Sequence, residues 1–186
     1  MKIIIAPQAF KGSISAMNAA KAIEQGVKAV LPDATTILIP IADGGDGTLE
    51  TLIDVMGGDV ITEKVTGPLG SKVKANWGAL SDQKTAIVEM ASTSGLTLLK
   101  PNELDPYKAT TYGLGEIICK ALDKGYREFI VGIGGSATND GGAGLAQALG
   151  IKLLNSNGKN IEQNKFPFLE THSFPCVPLP LVCKLA

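Results

Sequence analysis

Histidine and cysteine are scarce in this sequence, and their scarcity excludes several kinds of chemistry. The single histidine is His172, so any mechanism that needs a histidine base depends on that residue alone. Acid–base and charge-stabilising groups are therefore sought among Asp, Glu, Lys and backbone amides. The cysteines are odd in number and lack metal-ligand spacing, which predicts free thiols in a reducing compartment. They are Cys119, Cys176 and Cys183.

Basic runs and long apolar stretches are also missing. The formal net charge is −1, and the sequence has no Lys/Arg-rich patch of the kind that nucleic-acid binding requires. The apolar stretch over residues 1–5 is too short for a signal peptide, and no window reaches the length of a membrane span. The sequence therefore predicts a cytoplasmic protein that binds neither nucleic acid nor a membrane.

Glycine, by contrast, is abundant and clustered. The 186 residues include 22 glycines, and 45% of the residues are hydrophobic while 19% are charged, which is typical of a globular protein. This length allows one complete domain plus part of another. Clustered glycines are typical of backbone that approaches a ligand closely.

A strand, a polar loop and a helix are predicted twice in succession near the N-terminus. Apolar patterns predict strands over 2–6 and 35–41, followed by helices over 15–30 and 49–56. Repeated units of this kind form parallel sheets, with their loops at the carboxyl edge where such folds bind ligands. We expect the two loops to face one cleft, in an α/β domain that begins with residues 1–59.

From residue 60 the pattern changes, which predicts a second, mixed α/β domain over residues 60–164. Turn sequences separate three short apolar segments, as in antiparallel hairpins. Helical and strand patterns then alternate. The predicted strands cover 60–66, 73–80, 85–89, 128–133 and 151–154, and the predicted helices cover 110–124 and 141–149.

The last segment, 165–186, fits neither periodicity. It contains four prolines, which interrupt both helices and strands. Two interpretations stay open: a disordered tail, or a chain that ends early, for example through a change of reading frame.

The strongest motif is the long glycine loop, residues 132–142, which follows a predicted buried strand and opens a helix. Glycines let successive amides point at phosphate oxygens, and the helix N-terminus adds its dipole. The loop matches neither a Walker A sequence nor the dinucleotide fingerprint, and a tight turn that needs glycine for steric reasons is the alternative. The predicted phosphate- or substrate-binding residues are Gly134, Gly135, Ser136, Thr138, Asn139, Asp140 and Gly141.

The acidic glycine loop, residues 42–48, places Asp43 and Asp46 within one turn after the second predicted strand. One or two carboxylates are enough to hold a Mg²⁺ that bridges nucleotide phosphates, and a carboxylate can also accept a hydroxyl proton. Helix capping is the alternative for Asp46, so Asp43 is the better catalytic candidate. Gly44 and Gly45 are predicted to bind phosphate or substrate.

The loop after the first strand carries a third candidate group. Lys11 is suited to hold a carboxylate or a phosphate as a point charge, with Gly12 and Ser13 as binding partners. A solvated lysine, and a helix cap at Ser13 or Ser15, are the alternatives.

Two further segments are weaker candidates for the lining of the cleft. Glu89 and Ser94 follow a strand and are possible ligand groups, although a glutamate at a strand end is commonly a surface charge. Thr110 or Thr111 fits an N-cap, with Tyr112 in the core.

Together these motifs resemble the bacterial glycerate kinase family in order and spacing, over about residues 1–160. The resemblance implies ATP-dependent phosphorylation of D-glycerate to a phosphoglycerate, with Mg²⁺. It also implies two α/β domains, of which the first is flavodoxin-like and is completed by the C-terminal part of the family's longer chains; here it is incomplete. The motifs are Ala6-Pro7-x-x-Phe10-Lys11-Gly12-Ser13 and residues 42–48, 109–113 and 132–142.

The sequence departs from the family pattern at two positions. Gln8 and Ala9 stand where the family usually carries Asp and Ser, so the roles of those side chains do not transfer. Beyond about residue 165 the sequence no longer matches.

These observations give one mechanistic hypothesis and two rivals. In the hypothesis the long glycine loop holds phosphate, Asp43 or Asp46 places Mg²⁺ or accepts the glycerate hydroxyl proton, and Lys11 neutralises negative charge. The first rival is a catalytically inactive fragment that still binds ligand. The second is a sugar-phosphate isomerase or a phosphatase that uses the same loops.

Overall fold

The protein is described by a computed structural model over residues 1–10, 13–155 and 157–161. Most observed elements lie within two residues of the predicted bounds, and the short helix α3 was not predicted. Among the described residues, no helix combines the length and apolar character needed to cross a membrane. The elements are β1 (Lys2–Ile5), α1 (Ala16–Val30), β2 (Thr35–Leu38), α2 (Thr48–Met56), β3 (Gly58–Thr66), β4 (Lys72–Leu80), β5 (Thr85–Glu89), α3 (Met90–Ser94), α4 (Tyr112–Asp123), β6 (Glu128–Gly132) and α5 (Ala143–Ala148).

The N-terminal sheet is parallel, as predicted. β1 pairs with β2 in a register that places Lys2 beside Thr35 and Ile5 beside Leu38. The crossover helix α1 begins at Ser15, whose hydroxyl accepts a hydrogen bond from the Asn18 amide at 3.3 Å. The sequence left the N-cap open between Ser13 and Ser15, and the structure shows that it is Ser15.

The second sheet is mixed, with strand order β3-β4-β5-β6 among the described residues. β3, β4 and β5 form antiparallel pairs, which confirms the predicted hairpins. β6 returns through α4 to pair with β5 in parallel. The carboxyl ends of β5 and β6 therefore lie side by side, at Glu89 and Gly132.

Helices cover both faces of this mixed sheet. Side chains alternate between faces along a strand: Val88 packs in one core with Leu114 and Ile117 of α4. Its neighbour Ile87 packs in the other core with Leu49 of α2. Helix α2 thus follows the parallel sheet in sequence but packs against the mixed one.

One predicted strand is wrong. The apolar segment over 151–154 forms only an isolated bridge, between Leu154 and Asn160. Its hydrogen bonds are local, from Asn155 to Lys159 and from Ile161 to Leu153. A short apolar run becomes a strand only when a partner ladder is available, and here the chain turns back on itself instead.

Candidate active site

The acidic glycine loop is folded by its own hydrogen bonds. Asp43 Oδ1 accepts the amide of Gly45 at 3.0 Å, and Thr48 Oγ1 accepts the amide of Gly44 at 3.0 Å. Gly44 and Gly47 have φ values of 85° and 90°, a region that strains residues with a Cβ. This turn leaves the carboxylates of Asp43 and Asp46 exposed at its surface.

The long glycine loop lies directly against the acidic glycine loop. The amide of Gly134 donates to the carbonyl of Gly44 at 2.8 Å. A Cβ on Gly134 would lie 2.8 Å from the Gly45 Cα, and one on Gly132 would lie 2.7 Å from the Gly44 oxygen. Glycine at these positions is therefore required because two backbones touch.

A third segment, which follows β5, completes the arrangement. The amide of Leu96 donates to the carbonyl of Gly135 at 2.9 Å, and the amide of Ala137 donates to the carbonyl of Ser94 at 2.8 Å. The two segments also form a bridge between Gly95 and Ser136. Loops that follow β2, β5 and β6 are thus joined backbone to backbone.

A cavity of about 190 Å³ opens where the two glycine loops meet. Its walls include Gln8 and Ala9 from the loop after β1, so the expectation that the N-terminal loops share one cleft is confirmed. The glycine loops contribute Asp43, Gly45, Asp46, Gly47, Gly134 and Gly135.

A larger cavity, of about 530 Å³, adjoins the first. Ala9, Asp46 and Gly47 line both cavities, so Asp46 lies at the boundary between them. Helix α2 takes Gly47 as its N-cap, without a side-chain cap, and the capping interpretation of Asp46 is therefore wrong. The larger cavity is also lined by Ser13, Glu50, Lys74, Asn76, Glu89 and Ser92.

The predicted site residues are distributed unevenly around these cavities. Gly44 supports the wall of the smaller cavity through its bond to Gly134. Ser136 and Thr138 bond each other through their hydroxyls at 2.7 Å. Lys11 and Gly12 lie outside the described residues. Ser136, Thr138, Asn139, Asp140 and Gly141 belong to the same loop but line neither of the two cavities.

Cys119, the one cysteine in the described part of the chain, lines neither cavity. Cys119 is a free, half-buried thiol whose Sγ donates to the carbonyl of Ala148 at 3.4 Å. Burial raises the pKa of this thiol, which disfavours the reactive thiolate. Cys176, Cys183 and His172 lie outside the described residues.

Asp140 is buried and holds the base of the long glycine loop. Its Oδ2 accepts the Thr111 amide at 2.8 Å, the Thr111 hydroxyl at 2.9 Å and the Gly144 amide at 3.0 Å. Its Oδ1 accepts the Gly142 amide at 3.1 Å. These contacts occupy the carboxylate with the protein's own donors and connect the loop to the start of α4.

Replacing Asp140 with alanine is expected to destabilise the fold by about 3 kcal/mol, because buried donors lose their acceptor. Urea unfolding measures this loss. The exposed Asp59 provides the matched control, and Asp59→Ala is expected to change stability by less than about 0.5 kcal/mol. Equal unfolding free energies for the two variants would contradict the structural role of Asp140.

Glu89 is the buried carboxylate of this site. The sequence left it open between a ligand group and a surface charge, and its exposed fraction of only 6% excludes the surface charge. Its Oε1 accepts the amide of Leu49 at 2.7 Å. Burial, with a contribution from the nearby carboxylates of Glu50 and Asp46, raises the pKa of Glu89 to about 7. The continuous apolar run before it was the available signal, since it indicates a central strand.

The acidic glycine loop suits a metal ion that a nucleotide brings with it. Among the residues described, no group of three or more His, Cys, Asp or Glu side chains could hold a metal by itself. Mg²⁺ in such sites takes one or two carboxylates and receives its other ligands from phosphates and water. The exposed carboxylates of Asp43 and Asp46, beside glycine amides, meet this requirement.

The fold and the site together define an α/β protein whose candidate ligand site is formed by glycine-rich loops at the carboxyl ends of its strands. The sequence profile described as the glycerate kinase family matches residues 3–175. The chain belongs to this family, in agreement with the resemblance of its motifs.

Individual relatives agree with this assignment. The chain is 53% identical over 161 residues to a glycerate kinase of Bacillus subtilis, and 52% identical over 161 residues to a glycerate 2-kinase of Escherichia coli. Each match covers 87% of this chain and 42% of the relative. A crystal structure of a candidate glycerate kinase 2 from Salmonella typhimurium superposes with a TM-score of 0.75 at 49% identity, covering 88% of this chain and 44% of that one. The chain thus spans less than half the length of these relatives.

Proposed function

We propose that this chain carries part of the active site of an ATP-dependent kinase that phosphorylates D-glycerate. The observation that carries the proposal is the backbone contact between the acidic and the long glycine loops, which places two carboxylates beside glycine amides in one cavity. Phosphoryl transfer needs mainly positioning and charge stabilisation, without a covalent protein intermediate. Relatives named glycerate kinase support the choice of substrate.

The roles within the site follow from position. Gly134 and Gly135 line the smaller cavity. The amide of Gly134 already donates to the carbonyl of Gly44, so the amide of Gly135 is the one that suits a phosphate oxygen. Asp43 lines only the smaller cavity, whereas Asp46 lies between the two cavities. The larger cavity has Ser13, Lys74 and other polar side chains, which suit a small hydroxy acid.

Mg²⁺, when bound with ATP, would neutralise charge on the transferred phosphoryl group, and Asp43 or Asp46 would hold it. The other of these carboxylates is then placed to accept the proton of the glycerate hydroxyl. Lys11 is proposed to neutralise the substrate carboxylate or the phosphoryl group. Asp140 keeps the long glycine loop in place and does not itself contact substrate.

A second candidate is an inactive fragment that binds ligand without transferring phosphate. One observation favours it: Ile4, Ile39 and Ile41 of the parallel sheet region are 62%, 47% and 43% exposed. Exposed apolar side chains close together on a sheet usually mark a surface that another segment covers.

ADP release tests both candidates. The assay compares the 186-residue chain with the same residues joined to the remaining C-terminal part of the Bacillus subtilis relative, each with ATP, Mg²⁺ and D-glycerate. Glycerate-dependent release by both supports a kinase in which this chain suffices, and release by the joined chain alone supports the fragment. Release by neither chain would contradict the kinase proposal.

The position of transfer is tested on the product of the same reaction. The Escherichia coli relative is named a glycerate 2-kinase, and we propose transfer to the 2-hydroxyl here as well. Phosphorus NMR distinguishes the 2-phosphate from the 3-phosphate. Exclusive formation of the 3-phosphate would contradict this part of the proposal while leaving the kinase intact.

A further inference from the structure

Glu89 connects the mixed sheet to the start of helix α2. It is the last residue of β5, and its buried Oε1 accepts the amide of Leu49, forty residues earlier in the chain, at 2.7 Å. A buried carboxylate is costly unless it is hydrogen-bonded, so this contact is specific. The carboxylate also lies at the positive end of the helix dipole.

Helix α2 depends on this contact because its own cap provides none. Its N-cap is Gly47, which has no side chain to accept a first-turn amide. Such amides otherwise lack an intrahelical partner. Two other side chains form hydrogen bonds at this helix start: Thr48 Oγ1 accepts the amide of Gly44 at 3.0 Å, and Thr51 Oγ1 donates to the carbonyl of Gly47 at 2.8 Å. Neither of these bonds accepts an amide of the first turn. Glu89 therefore performs the function of an N-cap from a distant strand.

The first turn of α2 in turn determines where the acidic glycine loop ends. Asp46 directly precedes the N-cap Gly47, and both residues line the two cavities. A shift of this turn would move the carboxylate of Asp46 relative to the glycine amides of the long glycine loop. The charged groups that line the larger cavity with Glu89 are Asp46, Glu50 on α2 and Lys74 on β4.

We propose that Glu89 is a positioning residue, which fixes the first turn of α2 through the Leu49 amide and thereby places Asp46 between the two cavities. The effect of this placement on phosphoryl transfer rests on the proposed function. The contact itself does not, and it is tested separately.

The titration of Glu89 provides a second observable, which reports whether its carboxyl group is buried beside α2. The ordinary pKa of 4.5 is raised to about 7 in the folded protein, first by burial. The folded state therefore binds an additional proton between these values. The stabilisation from protonated Glu89 is complete below about pH 4.5 and is lost as the pH rises through about 7.

Three variants of this chain separate the contributions. Glu89→Gln keeps an oxygen acceptor but does not titrate, whereas Glu89→Leu removes the acceptor. Asp54→Asn removes one charge from the exposed side of the same helix and is the matched control. Amide hydrogen exchange of Leu49 reports the contact directly, with amides of α4 as an internal reference.

The expected results follow from the loss of one charge-assisted hydrogen bond. In Glu89→Leu the Leu49 amide should exchange about tenfold faster or more, while Glu89→Gln and Asp54→Asn should stay within about threefold of the parent. Exchange at Leu49 that is unchanged in Glu89→Leu would overturn the proposal. If Glu89→Leu does not fold, Glu89→Gln decides: the fall in stability between about pH 4.5 and 7 should disappear, and its persistence would overturn the proposal.

Kinase activity is measured on the chain joined to the C-terminal part of its relative. We expect Glu89→Leu to lower kcat/KM about tenfold or more, with Glu89→Gln restoring most of it and removing the pH dependence near neutrality. An inactive parent joined chain would contradict the proposed function alone, because the exchange at Leu49 still decides the role of Glu89. An active parent with unchanged kcat/KM in Glu89→Leu would overturn the placement of Asp46 by Glu89.

Discussion

Gly134→Ala is expected to reduce kcat/KM by about 100-fold in the chain joined to the C-terminal part of its relative. The added methyl group would lie 2.8 Å from the Gly45 Cα, 2.9 Å from the Gly45 nitrogen and 3.0 Å from the Gly44 oxygen. These are backbone atoms, so no rotamer change relieves the contact. The two glycine loops must separate, and misplacement of catalytic groups by about 1 Å costs on the order of 100-fold.

The chain provides a matched control for this substitution. Gly26 lies inside helix α1, and a Cβ added there meets no atom within 4 Å. Gly26→Ala should therefore leave activity unchanged and stabilise the protein by about 0.5–1 kcal/mol, because alanine favours the helix. Steady-state kinetics and urea unfolding of both variants test this. Normal activity in Gly134→Ala would show that the contact between the loops is not needed for catalysis.

Asp43→Asn is the second substitution with a large expected effect, a loss of about 100-fold or more in kcat. Asparagine retains an Oδ1 that can accept the Gly45 amide, now 3.0 Å from the aspartate oxygen, so the loop should keep its turn. The variant therefore removes the charge and the basicity while preserving the fold. Loss of a general base costs on the order of 100- to 10,000-fold.

The kinetics of Asp43→Asn also separate the two roles open to this carboxylate. If Asp43 holds Mg²⁺, a higher magnesium concentration should partly restore the rate. If it accepts the hydroxyl proton, magnesium should have no effect and the acidic limb of the pH profile should change. Asp33→Asn, at an exposed position after α1, is the control. Near-normal turnover in Asp43→Asn would exclude both roles.

Much of the fold was predictable because the periodicity of apolar residues reports local structure. The short apolar segment before Glu89 was predicted to be a strand, and it forms β5, which pairs with both β4 and β6. The convergence of the N-terminal loops was also predictable, since parallel strands place successive loops at one edge. The first residue of α4 was not predictable in the same way. The amides of Thr110 and Thr111 donate to the carbonyl of Pro68 and to the carboxylate of Asp140, both outside the helix.

The contacts that shape the site were not predictable from periodicity. The apolar face of α2 shows that the helix packs, but it does not show that the partner is the mixed sheet. Gly78 illustrates the point, because a Cβ there would lie 2.6 Å from Leu49 Cδ1, and only the folded chain reveals this approach. The cap provided by Glu89 depends on the same long-range packing.

In the long glycine loop, the motif alone does not show which residues contact a ligand. Its composition predicted a phosphate site along its whole length, yet only Gly134 and Gly135 line the smaller cavity. Asp140 is occupied by four hydrogen bonds from the protein itself. A polar residue in a glycine-rich loop can support the loop or contact a ligand, and its sequence position does not distinguish the two. The ligand roles of Ser136, Thr138, Asn139 and Gly141 stay predictions.

The most direct test of the central claim is an NMR titration of the 19.3 kDa chain, observing backbone amides as MgADP and D-glycerate are added separately. MgADP is expected to shift the amides of Gly44, Gly45, Gly134 and Gly135, and D-glycerate is expected to shift the amides around the larger cavity, including that of Ser92. Shifts confined to segments distant from both cavities, such as residues 58–59 and 124–126, would contradict the assignment of the glycine-loop contact as the phosphate site.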